Sequence, residues 1–362
     1  MFPRWELLES RKESISIAVA DAEKVVSGRR ESRKVTLACL EIFVFIKKTS
    51  IPPVNGLEAP KIKDSLIFIP PLIPPVISPI SLPPVDLNYD NKDMREAMID
   101  AMKFWIVEVG IDGFRCDVAD GVPADFWKEA LEQLRAAAGD RKIVMLAEGK
   151  NEDNFTVGGF DMNYGWDYKD EIVKVWKGAP ASDLIKADSA EYANLPAGKV
   201  KLRFTTNYDH STEATPCVEF TNERGAMAAY VASIFPHGGA LIYCSQEVSY
   251  PEPINFFKYV PVDWTANSAI YQEYKELIEL YNEHPALRKG KMIAWPDNDV
   301  LIFEKSDAEE SFLVIVNVRN EQKAVQIPES WVGRETEDEV TDKDFKLEST
   351  LTLEPFQYLI LE

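Results

Sequence analysis

Ten prolines stand between Ile51 and Asp86, among them Pro70, Pro71, Pro74, Pro75 and Pro79 in close succession. Proline has no amide hydrogen and fixes φ, so this stretch can be neither helix interior nor central strand. It reads as an extended, polyproline-like linker. A PxxP ligand for a partner domain is the other reading, and the aliphatic residues between the prolines count against it. Charge changes at the same place. Residues 1–85 carry 12 Lys+Arg and 9 Asp+Glu, whereas residues 86–362 carry 28 and 51, so the balance passes from +3 to −23. Within the first region, Arg29, Arg30, Arg33 and Lys34 precede the mostly apolar residues 35–46, a basic-then-apolar order like that of a secretion signal. The run starts too far from Met1 and lacks a small-residue cleavage site. It is expected to be a buried strand or an unstructured segment, and the compartment is left open.

Composition narrows the rest. With 362 residues, 46% hydrophobic and 28% charged, the chain is globular and long enough for several units or one large α/β barrel with an appendage. A formal charge of −20 repels phosphate backbones and anionic lipid. No apolar run approaches the ~20 residues needed to span a bilayer. Neither nucleic acid nor membrane is an expected partner. Cys39, Cys116, Cys217 and Cys244 are scattered, with no C-x-x-C pair and no His at ligand spacing, so no metal site is expected from them. An enzyme or binding protein for a small molecule remains.

From Asp86 the chain is regular. Met94, Ala97, Met98, Ala101, Trp105 and Val109 form one helical stripe behind a capping box at Asp93 and Glu96, and Gly110 stops it. A strand over 111–118 follows. Pro123 opens a second helix striped by Phe126, Trp127, Ala130, Leu131 and Leu134, which Gly139 ends. Further strands are expected at 143–147, 160–163, 202–206 and 240–244, and helices around 168–176, 224–235 and 269–281. This alternation argues for parallel βα units. After His284 the apolar runs shorten, at 300–304, 312–318, 324–327 and 358–361, while Glu335 to Glu339 reads as a solvated acidic loop. A small antiparallel sheet domain over 290–362 is the expectation.

Three acids end apolar strands: Asp117, Glu148 and, after Phe204-Thr205-Thr206-Asn207-Tyr208, Asp209. In a βα barrel reactive side chains gather at such ends. Each alone would pass for the N-cap of the next helix; three together point to a site. Glycosidic cleavage needs a carboxylate to attack the anomeric carbon and a protonated one to serve the leaving oxygen, ~5–5.5 Å apart when configuration is retained. Arg115 lies on the same strand face as Asp117 and would keep it ionised. The apolar strand before Glu148 would help keep that group protonated. Trp166 and Tyr164 read equally as sugar platform or core packing, Glu247 as a rim or structural acid, and Asp120 and Asp161 as caps or loop acids.

These residues resemble the α-amylase family, glycoside hydrolase family 13. Gly110-Ile111-Asp112-Gly113-Phe114-Arg115-Cys116-Asp117 is similar to its second signature segment, which implies Asp117 as nucleophile and Arg115 as its partner. Met145-Leu146-Ala147-Glu148 is similar to the third, implying Glu148 as general acid/base, and Phe204 to Asp209 to the fourth, implying that Asp209 grips sugar hydroxyls. The resemblance covers about 86–362 and implies a retaining hydrolase of starch or maltooligosaccharides, with Asn207, Tyr208, His210 and Trp166 as further substrate-binding candidates.

The sequence departs from the family at two points. Tyr208 stands where the family usually has a His, with His210 nearby as a possible substitute. The family's first signature and its often calcium-carrying inserted domain are not found in 1–85, so no cofactor is assigned. About five of eight βα units are expected, as a partial TIM-type (β/α)8 barrel over 86–289. Open sheet edges then invite self-association. Residues 1–85 would close the barrel in an unfamiliar way, or be a truncated or wrong-frame stretch joined to an enzyme remnant, which the compositional break favours. A dead fragment and a non-catalytic carbohydrate-binding relative are the competing readings.

Overall fold

Short apolar runs bounded by turn residues become the strands of one sheet. In the computed structural model, residues 87–255 and 258–362 are described, together with the backbone of the two-residue strand β1 (Phe43–Val44). The proline-rich stretch and the rest of 1–85 lie outside the described residues. Strands β2 (Gly113–Cys116), β3 (Val144–Ala147), β4 (Met162–Tyr164), β5 (Val200–Arg203) and β6 (Gly239–Ala240) pair in parallel in sequence order. β1 pairs antiparallel with β2 at Phe114 and Arg115. The five parallel strands with their helices are the expected partial α/β barrel.

Helix α1 (Lys92–Phe104) runs on through a wider turn, Trp105–Val109, and stops at Gly110, whose φ of 78° suits glycine. Its cap is Asn91, whose side chain accepts from the Met94 amide at 3.2 Å, and not the expected box at Asp93. Gly113 has a second glycine requirement. At φ 151° a Cβ there would meet the Val144 carbonyl oxygen at 1.8 Å, so only glycine lets β2 and β3 approach. Helix α2 (Ala124–Ala138) buries the expected stripe of Phe126, Trp127, Ala130, Leu131 and Leu134 against Phe114, Met145 and Phe160. Each of its large side chains contributes on the order of 2 kcal/mol by leaving water.

Helices α3 (Trp166–Trp176), α4 (Ser182–Tyr192), α5 (Glu223–Ile234) and α6 (Ser268–Glu283) complete this layer. No helix among the described residues is long and apolar enough to cross a membrane. The ladder is shorter than expected at two places. Phe204 to Thr206 stay buried but leave β5 as a loop, and β6 keeps only Gly239 and Ala240.

The second sheet is antiparallel, in the order β12 (Lys343–Lys346), β11 (Glu335–Asp338), β14 (Tyr358–Leu361), β9 (Ser311–Asn317), β8 (Val300–Ser306) and β7 (Lys291–Trp295), with β10 (Lys323–Gln326) and β13 (Thr350–Leu353) as a separate ribbon. β11 corrects the acidic-loop expectation for Glu335 to Glu339. Thr336 and Asp338 alternate inward, and Asp338 accepts the Ile360 amide at 3.0 Å. One face of this sheet, including Leu301, Phe303, Val314 and Ile360, packs into a common core with α3, α5 and α6. Arg319 ties the two parts polarly, donating to the carbonyls of Val175 at 2.6 Å and Ala179 at 2.7 Å.

Candidate active site

Strand parity builds the site. Arg115 pairs with Leu146 across β2 and β3, and side chains two residues apart share a face. Leu146, Tyr164, Leu202 and Phe204 form a small apolar cluster on the inner face, while Met145 and Ala147 pack outward against α2 and its neighbours. Asp117 and Glu148 therefore leave neighbouring strands side by side on the inner face. The backbone holds them there: Glu148 N donates to Cys116 O at 2.8 Å, and Ala119 N to Glu148 O at 2.9 Å.

Arg115, 3% exposed, is the hub. Its guanidinium contacts both Asp117 Oδ1 and Glu148 Oε1 and donates to the Tyr164 hydroxyl at 3.4 Å and the Tyr208 hydroxyl at 3.2 Å. The Tyr208 hydroxyl in turn stands 3.2 Å from Asp117 Oδ1 and 3.2 Å from Glu148 Oε1. The two carboxylates thus lie no further apart than twice that distance. Glu148 Oε2 accepts the Val118 amide at 2.8 Å. That amide is aimed by an unusual backbone: Val118 is β-branched yet has φ 42° and ψ 43°.

Burial pushes Glu148 up to about 7; Asp117 adds to the rise, and the Arg115 charge and the Val118 amide oppose it without prevailing. Tyr208 is raised, first by burial.

The other expected residues are placed less centrally. Asp209 sits at the exposed rim, where partial burial raises its pKa and Asp117 adds to the rise, against Arg115 and His210. No hydrogen bond joins its carboxylate to the acid pair. Asn207 accepts the amides of Asp209 and His210 at 3.1 and 3.0 Å, so it shapes the loop that carries them. His210 and Trp166 turn to each other, with ring centroids 5.7 Å apart and nearly perpendicular. Trp166 also stacks on Tyr164 at 5.2 Å, and Tyr164 is itself buried. These rings support the floor of the site, and no hydrogen bond joins Trp166 or His210 to Asp117 or Glu148.

Asp120 and Asp161 are loop acids. Asp120 accepts from the Lys150 amide at 2.9 Å and Asn154 Nδ2 at 2.8 Å, fixing the loop behind Glu148. Glu247 is half-buried, its Oε2 has no hydrogen-bond partner among the described residues, and burial raises its pKa. The Val118 amide is the functional group that sequence reasoning missed, since a left-handed valine leaves no signal in composition or periodicity. Among the described residues no three His, Cys, Asp or Glu side chains gather as a metal-binding group.

Acids at the C-terminal ends of parallel strands, followed by an antiparallel sheet packed on the helices, are the arrangement expected from the resemblance to the α-amylase family. Comparison with known families and proteins agrees. Residues 81–159 match the alpha amylase catalytic domain and residues 293–360 the maltogenic amylase C-terminal domain. Neopullulanase 2 of Thermoactinomyces vulgaris is 26% identical over 289 residues, covering 76% of this chain and 49% of the relative. A cyclomaltodextrinase of Geobacillus thermopakistaniensis is 23% identical over 76% of this chain and 48% of its own length. The chain spans about half the length of these curated relatives. Among solved structures, the maltogenic alpha-amylase AmyB of Thermotoga neapolitana superposes with a TM-score of 0.67 at 21% identity, covering 78% of this chain and 68% of that one. From about residue 86 onward the chain is related to the α-amylase family.

Proposed function

We propose that the chain acts as a retaining α-glucan hydrolase, cleaving α-glucosidic bonds of starch-type or maltooligosaccharide substrates. Asp117 attacks the anomeric carbon while Glu148 gives its proton to the glycosidic oxygen, so the C–O bond to the leaving sugar breaks as an ester to Asp117 forms. Glu148, now ionised, takes a proton from water, which attacks the same carbon and releases Asp117. Arg115 and the Tyr208 hydroxyl face the attacking oxygen and hold it in place. Asp209 meets the sugar hydroxyls from the rim, and Asn207 sets the loop that brings it there.

The observation that carries this reading is the shared contact of Asp117 and Glu148 with the Tyr208 hydroxyl, at 3.2 Å each. Two such contacts hold the facing oxygens of the pair closer together than the ~6.5–9.5 Å separation that an inverting mechanism needs to seat a water. The names of the relatives, a neopullulanase, a cyclomaltodextrinase and a maltogenic amylase, support an α-glucan as substrate. Proton NMR of maltotriose digestion tests it. The α-anomer of the product should appear first and mutarotate later; initial β-anomer overturns the retaining assignment.

A further inference from the structure

The segments that leave β2 and β3 are laced together residue by residue. Glu148 N donates to Cys116 O at 2.8 Å, Val118 N donates to Glu148 Oε2 at 2.8 Å, and Ala119 N donates to Glu148 O at 2.9 Å. Asp120, the next residue of the first segment, catches the chain beyond Glu148. Its carboxylate accepts from the Lys150 amide at 2.9 Å, the Asn151 amide at 3.4 Å and Asn154 Nδ2 at 2.8 Å. Hydrogen bonds to an ionised acceptor are the stronger kind. The turn that carries Asp120, Ala119–Gly121, has a firm base: the buried Trp127 indole donates to Ala119 O at 3.0 Å.

Gly149 lies between Glu148 and these captured donors. Its φ is not positive, so backbone freedom does not call for glycine there. Space does. A Cβ on Gly149 would stand 2.1 Å from Asp120 Oδ1 and 2.5 Å from Asp120 Cγ. A carboxylate held by Lys150, Asn151 and Asn154 cannot swing aside without releasing them. The missing side chain thus admits Asp120 directly against the backbone of the residue that follows the acid. Asp120 itself is exposed, so replacing it opens no cavity.

We propose that Asp120 is a positioning residue for Glu148: it fixes the segment after that residue and so keeps Glu148 Oε2 on the Val118 amide. Its meaning for catalysis rests on the acid/base role given to Glu148 above. A misplacement of ~1 Å can cost on the order of 10²-fold in rate. Removing Asp120 acts on Glu148 in two opposite ways. Loss of a nearby negative charge makes Glu148 easier to ionise, whereas loss of the Val118 amide, which holds its pKa down, makes it harder. The other groups that face Glu148 stay in place: Arg115 and Asp117 at the end of β2, and Tyr208 from the loop after β5. The direction in which Glu148 moves therefore separates positioning from charge.

The test is a carbon-detected NMR titration of the Glu148 carboxyl in the full-length chain, assigned by its absence from Glu148→Gln, together with kcat and KM on maltotriose. In Asp120→Ala, Glu148 should titrate at a higher pH than in the wild type, and kcat should fall roughly tenfold or more with KM little changed. Asp120→Asn, which keeps one accepting oxygen, should lie between the two in both readouts. Gly149→Ala should lower kcat in the wild-type chain and change little in Asp120→Ala, where the methyl group has room. A Glu148 titration that stays in place or moves down in Asp120→Ala overturns the inference. So does a loss confined to KM, which would mean that Asp120 meets the substrate itself. A wild-type chain without turnover would remove the hydrolase reading, and the titration would still decide whether Asp120 holds Glu148, so the two failures are distinguishable.

Discussion

The Val118 amide donates to Glu148 Oε2 at 2.8 Å from a backbone conformation that a β-branched residue rarely adopts. The residue after one acid thus positions the other, and the strain sits directly beside Asp117. The Val118 side chain is 61% exposed, so little packing offsets that strain. Val118→Gly should raise stability by roughly 1 kcal/mol, the relieved strain outweighing the chain entropy of glycine. Denaturant unfolding measures this; destabilisation would mean that Val118 is not strained.

Tyr208 holds the pair through one hydroxyl. Tyr208→Phe keeps the ring beside Arg115 and removes the hydroxyl's contacts to Asp117, Glu148 and the Arg115 guanidinium. Hydrolysis should fall roughly 10²-fold in kcat, as when one preorganised donor is removed. Tyr208→His, which restores a donor, should recover part of the loss. A kcat unchanged in Tyr208→Phe would show that the hydroxyl has no such part.

Glu148, raised to about 7 from an ordinary 4.5, holds a proton in the folded chain that the unfolded chain has lost between these pH values. Its contribution to stability therefore falls as pH rises through that window. Relative to Glu148→Gln, the wild-type chain should lose stability from pH 4.5 to about 7 and then level off. kcat of the wild type should decline above about pH 7, where the general acid is ionised. Unfolding free energies and pH–rate profiles read both; a stability difference that is flat with pH contradicts the raised acid.

Asp188, 1% exposed, accepts from Arg203 at 2.9 Å and contacts His237 Nδ1 at 2.7 Å. Removing the Asp188 charge leaves the buried Arg203 guanidinium with Glu191 as its remaining carboxylate, and breaking a buried pair is costly. Asp188→Asn should cost about 3 kcal/mol by thermal or denaturant unfolding, without changing the pH profile of hydrolysis.

Much of this was legible in the sequence because buried parallel strands read as short apolar runs, and an acid at the end of such a run stands out. Val144 to Glu148 is the plainest case, and the stripe from Phe126 to Leu134 marks its helix as clearly. Helix α4 escaped detection because its inward face is mixed: Leu184 enters the core, but Asp188 and Glu191 turn to Arg203 a turn further on, so the apolar stripe is too short to stand out. Strand β11 escaped for a similar reason, since Thr336 and Asp338 are its inward residues. Parity and strand ends placed Asp117, Glu148 and Arg115 on one face. The outward turn of His210 toward Trp166 depends on where the loop after β5 leaves the ladder, which side-chain chemistry alone does not encode.

The central claim is that Asp117 forms a covalent bond to the sugar while Glu148 handles protons. Maltosyl fluoride needs no acid to release its leaving group, so the Glu148→Gln chain should still form the ester yet hydrolyse it slowly. Intact-mass and peptide-mass analysis after brief incubation should find one maltosyl adduct, on Asp117. An adduct on another residue, or none under these conditions, contradicts the account.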